Sequence, residues 1–170
     1  MELILFVAVL VMSVVVHEVS HGWMALFLGD QTARHAGRLT LNPIPHIDPI
    51  GSILVPAVMA MINPSFLFGW AKPVPFNPYN LRAGNWGPAL VALAGPVSNL
   101  SIALFFALLI RFAEALTLSG TMIEFILQII VLNIVLAVFN LFPLPPLDGS
   151  KVLFALLPYR FRMIEELMVR

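Results

Sequence analysis

The stretch VVVHEVSHGWMALFLG, residues 14–29, decides how this chain is interpreted. It places His17, Glu18 and His21 inside an apolar run, residues 3–28, that contains no other charged side chain. An ionised group near the centre of a bilayer costs about 2.5–3.5 kcal/mol on insertion scales. Three such residues side by side therefore require something that compensates them, and a bound metal ion would do so.

The spacing of these residues is that of a metal site. His17 and His21 are four positions apart, which puts both imidazoles on one face of a helix. Glu18 lies beside them, where a carboxylate can take a proton from a metal-bound water. A catalytic zinc ion usually has three protein ligands, and the chain contains no Cys. The candidates for the third ligand are His35, His46, Asp48 and Asp148.

The amino-acid composition indicates the environment in which this protein folds. Apolar residues make up 60% of the 170 residues and charged residues 11%, with a mean hydropathy of +0.96, which excludes an ordinary soluble globular domain. The formal net charge is zero, so no basic field is available to bind nucleic acid, and the chain has no nucleotide-binding motif. The partner that the composition predicts is a lipid bilayer.

Four apolar stretches approach or reach the roughly 20 residues that cross a bilayer: residues 3–28, 49–68, 89–110 and 121–142. The second contains Gly51, Pro56 and Pro64, which shorten or kink a helix. If all four cross, the cationic residues divide weakly between the two faces. If the second dips in and returns, every Lys and Arg except Arg111 lies on one face, which is then the cytoplasmic one. We therefore predict an all-α polytopic transmembrane bundle with a re-entrant or kinked segment.

This arrangement also favours one candidate for the third ligand. Asp148 follows the last apolar stretch, in a Pro-rich segment that ends the helix. In the re-entrant arrangement it returns to the face of His17 and His21, whereas four crossings put it on the opposite face. At this point an ordinary turn residue after a helix remains the alternative for Asp148.

Other polar residues receive simpler interpretations. The loop GRLTLNP, residues 37–43, alternates apolar and polar side chains and predicts a short β-strand. His46 and Asp48 are expected to order their loop rather than to form a second metal site. Asn99 and Asn133 are expected to form hydrogen bonds between helices.

Several motifs together resemble the site-2 protease family of intramembrane zinc metalloproteases. They are HEVSH at residues 17–21, GPVSN at 95–99 and NLFPLPPLDG at 140–149. Two further stretches, GRLTLNPIPHIDPIG at 37–51 and FGWAKPVPFNP at 68–78, resemble the small bacterial and archaeal branch that lacks a PDZ domain. The resemblance therefore extends over most of the chain.

The resemblance implies roles for individual residues. His17, His21 and Asp148 correspond to the ligands of one zinc ion. Glu18 corresponds to the catalytic acid and base, and Asn140 to a contact of the substrate or transition state. Family members generally continue beyond the position of Arg170 into a further hydrophobic segment, so residues 1–170 are expected to form a single catalytic core that is truncated at its C terminus.

The function that the resemblance implies is hydrolysis of peptide bonds within or beside transmembrane segments of membrane proteins. We expect an integral protein of the plasma or inner membrane, with its active site toward the cytoplasm. Residues 38–42 would offer a strand edge to an extended substrate. Two alternatives stay open: a membrane zinc carrier or sensor that uses the same three ligands, and a non-catalytic scaffold that binds transmembrane helices.

Overall fold

The computed structural model describes residues 2–62 and 69–157. Six α-helices follow one another in this part of the chain: α1 (Glu2–Phe27), α2 (Thr32–His35), α3 (Val55–Ile62), α4 (Gly87–Arg111), α5 (Gly120–Asn140) and α6 (Asp148–Leu156). Short 3₁₀ turns occur at Ile44–His46, Pro78–Asn80 and Gly84–Trp86, and a π-helical turn at Pro49–Leu54 leads into α3. The predicted all-α class is confirmed.

Three of these helices are long and apolar enough to cross a membrane, namely those within Ile4–Phe27, Gly84–Arg111 and Gly120–Asn140. At about 1.5 Å per residue, the 26 residues of α1 extend about 39 Å, more than the roughly 30 Å of a hydrocarbon core. Side chains such as Phe6, Leu104 and Val131 point away from the protein, as lipid-facing residues do. The predicted first, third and fourth stretches are therefore confirmed as helices of membrane-spanning length.

Helix α4 is the centre of the bundle and packs against α1, α5 and α6. Residues 17 and 21 of α1 contact residues 99 and 91 of α4, respectively, so the two helices are antiparallel. The buried face of α4 is built largely of Gly and Ala, including Ala89, Ala92 and Gly95. Small residues allow helix backbones to approach closely, and this close approach positions the site described below.

A buried amide network joins the three long helices. Asn99 Nδ2 of α4 donates to Asn133 Oδ1 of α5 at 2.8 Å, and Asn133 Nδ2 donates to Ser13 Oγ of α1 at 3.0 Å. Both asparagine side chains are fully buried. The predicted hydrogen bonds between helices are thus confirmed for both residues.

The second apolar stretch does not form a long helix in its described part. Its helical residues begin at Pro49 and end at Ile62, interrupted by the change from π-helical to α-helical geometry at Val55, and residues 63–68 lie outside the described part. The chain then comes back beside its own start, because the Trp70 amide donates to the Gly51 carbonyl at 3.1 Å. The three helices of spanning length do not include this stretch.

The short strand predicted at residues 37–43 is absent, and the described residues contain no β-strand. Two local turns replace it. The Asn42 amide donates to Thr40 Oγ1 and the Ile44 amide donates to Asn42 Oδ1. Side chains of this type compete with a strand for the backbone groups, and no neighbouring strand is described that would pair with this segment. The strand prediction, which rested on the alternation of Leu39 and Leu41 with polar residues, is therefore wrong.

The end of α1 is anchored by a fully buried carboxylate, Asp30. Its Oδ1 accepts hydrogen bonds from the amide and hydroxyl groups of Thr32 and from Asn80 Nδ2, while its Oδ2 accepts one from the Asn77 amide at 2.7 Å. Burial raises the pKa of this carboxyl, but the four hydrogen bonds outweigh that effect and hold the pKa below its usual value of 3.8. Asp30 therefore fixes residues 77–80 against the end of α1.

Replacing Asp30 with Asn is expected to lower the free energy of unfolding by about 1–3 kcal/mol at pH 7, because the amide supplies fewer acceptors to the same donors. A carboxyl with a lowered folded pKa contributes stability above its unfolded pKa and loses it as the pH falls through the folded pKa. The difference between wild type and variant should therefore shrink below about pH 4. Denaturation in detergent at pH 7 and pH 3 measures it, and a difference that does not change with pH would contradict this explanation.

Candidate metal centre

Three side chains from opposite ends of the chain converge in the bundle. His17 and His21 project from α1, and Asp148 is the first residue of α6. Oδ2 of Asp148 lies 3.1 Å from Nε2 of each histidine, and the three candidate ligand atoms all lie within 4.8 Å of one another. The three residues are at most 9% exposed. Of the four candidates for the third ligand, the structure brings Asp148 to the histidine pair.

Each imidazole is held in its orientation by a hydrogen bond at Nδ1, the ring nitrogen that faces away from Asp148. His17 Nδ1 lies 2.6 Å from Asn99 Oδ1, and His21 Nδ1 lies 2.7 Å from the Val91 carbonyl. A carbonyl oxygen only accepts, so each Nδ1 carries the proton and donates. Asn99 presents its oxygen to His17 because its Nδ2 is directed to Asn133. In the neutral rings, Nε2 is then the unprotonated nitrogen, and both Nε2 lone pairs face Asp148.

This set of donor atoms fits a cation. Two unprotonated nitrogens and a carboxylate oxygen at 3.1 Å repel one another unless a positive charge lies between them. Two imidazoles and one carboxylate are a known ligand set of catalytic zinc, whose bonds of about 2.0–2.1 Å at tetrahedral angles separate ligand atoms by about 3.3 Å. The second-sphere hydrogen bonds to Nδ1 are those that metal-binding histidines usually make. The residues present therefore fit a zinc ion.

The charge of Asp148 is consistent with a ligand role. The ammonium group of Lys151, 3.7 Å from Oδ1, favours the charged form of this carboxyl group. Asp148 is therefore a carboxylate at neutral pH. Its position is fixed by the next residue, Gly149, since a Cβ atom there would collide with the backbone carbonyl of Leu141.

Gly95 makes room for the imidazoles. A Cβ atom at this position would lie 2.5 Å from Cε1 of both His17 and His21 and 2.6 Å from Nε2 of His17. Real Cβ atoms do not approach other atoms this closely, so the α4 backbone lies against the two rings only because residue 95 has no side chain.

Glu18 lies beside the histidines in a cavity of about 150 Å³, which we call the site cavity. The carboxylate is partly exposed, and its Oε2 accepts a hydrogen bond of 2.9 Å from the Val74 amide. Lining residues of the site cavity include His17, Glu18, His21, Pro73, Val74, Phe76, Asn140, Asp148 and Lys151. The carboxylate is thus next to the candidate ligands without being one of them, as the sequence predicted.

Asn140, the last residue of α5, also lines the site cavity. Its Nδ2 donates to the Leu136 carbonyl of its own helix at 2.9 Å, which holds the side chain at the helix end. Asn140 therefore lies near the candidate ligands, and its role stays a prediction.

The other candidate ligands lie elsewhere. His35 is exposed at the end of α2. Buried His46 bonds through Nε2 to the Thr40 carbonyl at 3.0 Å, and Asp48 caps the π-helical turn by accepting from the amides of Ile50 and Gly51. His46 and Asp48 order their loop, as predicted.

An extended segment, residues 70–77, passes along the site cavity, and we call it the strap. Arg38, which is buried, donates through Nη2 to the carbonyls of Lys72 and Pro73. The Lys72 amide donates to the His46 carbonyl at 2.9 Å. Val74 of the strap is the donor to Glu18. Arg38 therefore holds the backbone that positions the Glu18 carboxylate.

Sequence reasoning missed three features of the candidate site: Asn99 as the partner of His17, Lys151 in the site cavity, and the strap. One signal for Asn99 was available. Gly95 and Asn99 are four positions apart in GPVSN and so share a face of α4, and a polar residue on a Gly- and Ala-rich helix face is a candidate for buried contacts.

Comparison with known proteins places the chain in a family. A family profile described as Peptidase family M50 matches residues 109–169, which include Asn140 and Asp148. YwhC of Bacillus subtilis, a protein named as a zinc metalloprotease, is 42% identical over 158 residues, covering 89% of this chain and 68% of YwhC. The chain belongs to peptidase family M50. This confirms the resemblance to site-2 proteases.

A second M50 relative is more distant. Rip2 of Mycolicibacterium smegmatis, also named as a zinc metalloprotease, is 32% identical over 154 residues, covering 88% of this chain and 56% of Rip2. No solved structure matches the chain. Family membership and the three apolar helices identify an integral membrane protein of a zinc metalloprotease family.

Proposed function

We propose that this M50 chain is the core of an intramembrane zinc metalloendopeptidase, which hydrolyses peptide bonds within or beside transmembrane segments of membrane proteins. One observation carries the proposal. The lone pairs of His17 and His21 face the Asp148 carboxylate, and Glu18 lies in the same cavity between helices of membrane-spanning length. A carrier or a scaffold needs no carboxylate beside the metal ligands.

In this proposal His17, His21 and Asp148 hold one zinc ion. When bound, zinc polarises the scissile carbonyl and lowers the pKa of a water molecule. Asn99 and the Val91 carbonyl keep both imidazoles in the tautomer that presents Nε2. These contacts form before substrate arrives, so the ligands need no rearrangement during the reaction.

Glu18 moves the proton. Its carboxylate takes a proton from the attacking water and then gives it to the nitrogen of the leaving amine. The Val74 amide holds Oε2, which leaves Oε1 for this transfer. Asn140, which also lines the site cavity, contacts the substrate or the transition state through its amide group.

We also propose how the chain lies in the membrane. The stretch from Pro49 to Trp70 enters and leaves on one face, which is supported by the hydrogen bond between Trp70 and Gly51 at its two ends. The N terminus and the site cavity then lie at opposite faces of the membrane, because an odd number of crossings separates them. The face with the cavity also carries the cationic loops, which makes it the cytoplasmic face. The membrane is the plasma or inner membrane.

The test is cleavage of a panel of single-span membrane proteins by the purified chain in detergent. The proposal predicts cleavage within or next to the apolar segment of at least one panel member, its loss on removal of zinc by a chelator, and its return when zinc is added. Cleavage that survives complete zinc removal would contradict it. So would zinc binding with no cleavage by any preparation, including one extended at the C terminus, which would favour the carrier or sensor.

Replacing Arg38 with Met tests the strap. Loss of its hydrogen bonds to Lys72 and Pro73 should loosen Val74 and misplace Glu18, which lowers kcat/KM by about 10–100-fold because small misplacements of a catalytic group cost about that much. Bound zinc should not change. Arg34→Met is the matched control, since Arg34 is exposed on α2. The measurements are the cleavage kinetics and the zinc content of wild type, Arg38→Met and Arg34→Met. Equal kcat/KM in these three proteins would contradict a role of the strap in positioning Glu18.

A further inference from the structure

We propose that Lys151 is a further catalytic residue, whose ammonium group stabilises the negative charge that develops on the scissile carbonyl oxygen. The inference rests on the proposed proteolytic function of the same site. Lys151 lines the site cavity together with the proposed metal ligands, Glu18 and Asn140, and it has no role in the function proposed above.

The position of Lys151 is set by α6. It is three residues after Asp148, so both side chains lie on one face of the helix. Its Nζ lies 3.7 Å from Oδ1 of Asp148, whereas the histidines are next to Oδ2. The ammonium group is therefore on the outer side of the carboxylate, close to the candidate metal but not among its ligands.

The ion pair between Lys151 and Asp148 is a loose one. A charge-assisted hydrogen bond between an ammonium and a carboxylate is about 2.7–2.9 Å long, so 3.7 Å leaves the N–H donors of Lys151 largely uncommitted to Asp148. Nζ also lies over the ring of Phe76, 5.4 Å from its centroid, in a cation–π contact that leaves the N–H donors free to bind an oxygen. About a third of the Lys151 side chain is exposed, and the side chain lines the site cavity.

Lys151 is also the cation of the site cavity. Metal-binding histidines are neutral, so with His17 and His21 bound to a metal ion Lys151 carries the remaining cationic side chain among the described residues that line the cavity. Positive charge placed in advance where negative charge develops is among the largest contributions to catalysis, because it acts where water is largely excluded.

A second cavity supports contact with a substrate. It has a volume of about 340 Å³ and includes Pro78, Tyr79, Leu81, Phe154 and Lys151 in its lining. Lys151 is thus shared by the two cavities. A polypeptide that extends from the second cavity to the site cavity passes the ammonium group.

The reaction step defines the charge that is stabilised. The oxygen of water forms a bond to the carbonyl carbon, the π electron pair moves to the carbonyl oxygen, and the water proton goes to Glu18. The ammonium group of Lys151 donates a hydrogen bond to the resulting oxyanion without losing its proton. When the electron pair returns, the C–N bond breaks and Glu18 protonates the amine.

Three variants test the proposal on a substrate that the wild type cleaves. Lys151→Met should lower kcat by about 10²–10³-fold with KM within about threefold, the loss typical of one oxyanion donor. Lys151→Arg should recover part of kcat, and the control Arg34→Met should match wild type. Zinc per chain should be equal in all. Zinc lost from Lys151→Met would instead make Lys151 a support of Asp148, and unchanged kcat would overturn the proposal outright.

A binding measurement separates this proposal from the proposed function. A phosphinic peptide carries anionic oxygens on a tetrahedral centre, as the transition state does. Calorimetry on the zinc-loaded protein should show binding to wild type and about 10–100-fold weaker binding to Lys151→Met, matching the loss of a charge-assisted contact. If no substrate is cleaved but this difference appears, the proteolytic function fails and the anion contact stands. Equal binding to both proteins, or none to wild type, overturns the role of Lys151.

Discussion

Glu18→Gln protein is expected to lose cleavage by about 10²–10⁴-fold and to keep its zinc, because the amide preserves the shape of the side chain but does not accept the proton of water. The proposed zinc ligands are unaffected, since Glu18 contacts the Val74 amide and is not one of the three converging residues. Initial rates on one substrate, with zinc measured in the same preparations, test this.

The Glu18 variant also separates the alternative functions. A zinc carrier or sensor has no need of a general base, so it would behave alike with Glu or Gln at this position. Glu114→Gln is the matched control, because Glu114 is exposed in the connection between α4 and α5. Cleavage by the Glu18 variant at the wild-type rate would contradict the assignment of the base.

Gly95→Ala is expected to reduce zinc affinity by at least about 100-fold and to abolish cleavage. The new methyl group would lie 2.5 Å from Cε1 of both imidazoles. Neither ring can move aside without losing its hydrogen bond, His17 to Asn99 and His21 to the Val91 carbonyl. Loss of such supporting contacts alone typically costs about 10–100-fold in metal affinity, and displaced ligand atoms add to that.

Gly120→Ala is the control for this substitution. Gly120 begins α5, and a Cβ atom there would meet no atom within 4 Å. The control should bind zinc as the wild type does and be as stable or slightly more stable, since Ala favours a helix over Gly by about 0.5–1 kcal/mol. Zinc titration of the three proteins in detergent measures the effect. Wild-type affinity in Gly95→Ala would show that α4 is not pressed against the imidazoles.

The histidine pair of the candidate metal site was accessible to sequence reasoning because local helix geometry fixes its spacing. His17 and His21 share a helix face by spacing alone, and their location in an apolar helix demanded compensation. Counting membrane crossings favoured Asp148 as the third ligand, with an ordinary turn residue as the alternative, because the count predicts the end of the bundle to which the chain returns. The structure brings it within 3.1 Å of both histidines.

Other features depend on contacts between distant segments, which no local pattern specifies. Asn99 and His17 are 82 positions apart, and the Val74 amide reaches Glu18 across 56 positions. The strand at residues 37–43 was predicted from alternation alone, but a strand needs a partner, and the side chains of Thr40 and Asn42 form local turns instead.

We propose that His17, His21 and Asp148 bind the zinc ion of this M50 protein. X-ray absorption at the zinc edge of the purified protein, compared with Asp148→Ala, tests this assignment. We expect one zinc per chain in the wild type, coordinated by two imidazole nitrogens and by oxygen, and loss or marked weakening of zinc binding in Asp148→Ala. Zinc coordinated by more than two imidazoles, or an identical spectrum and zinc content in Asp148→Ala, would contradict it.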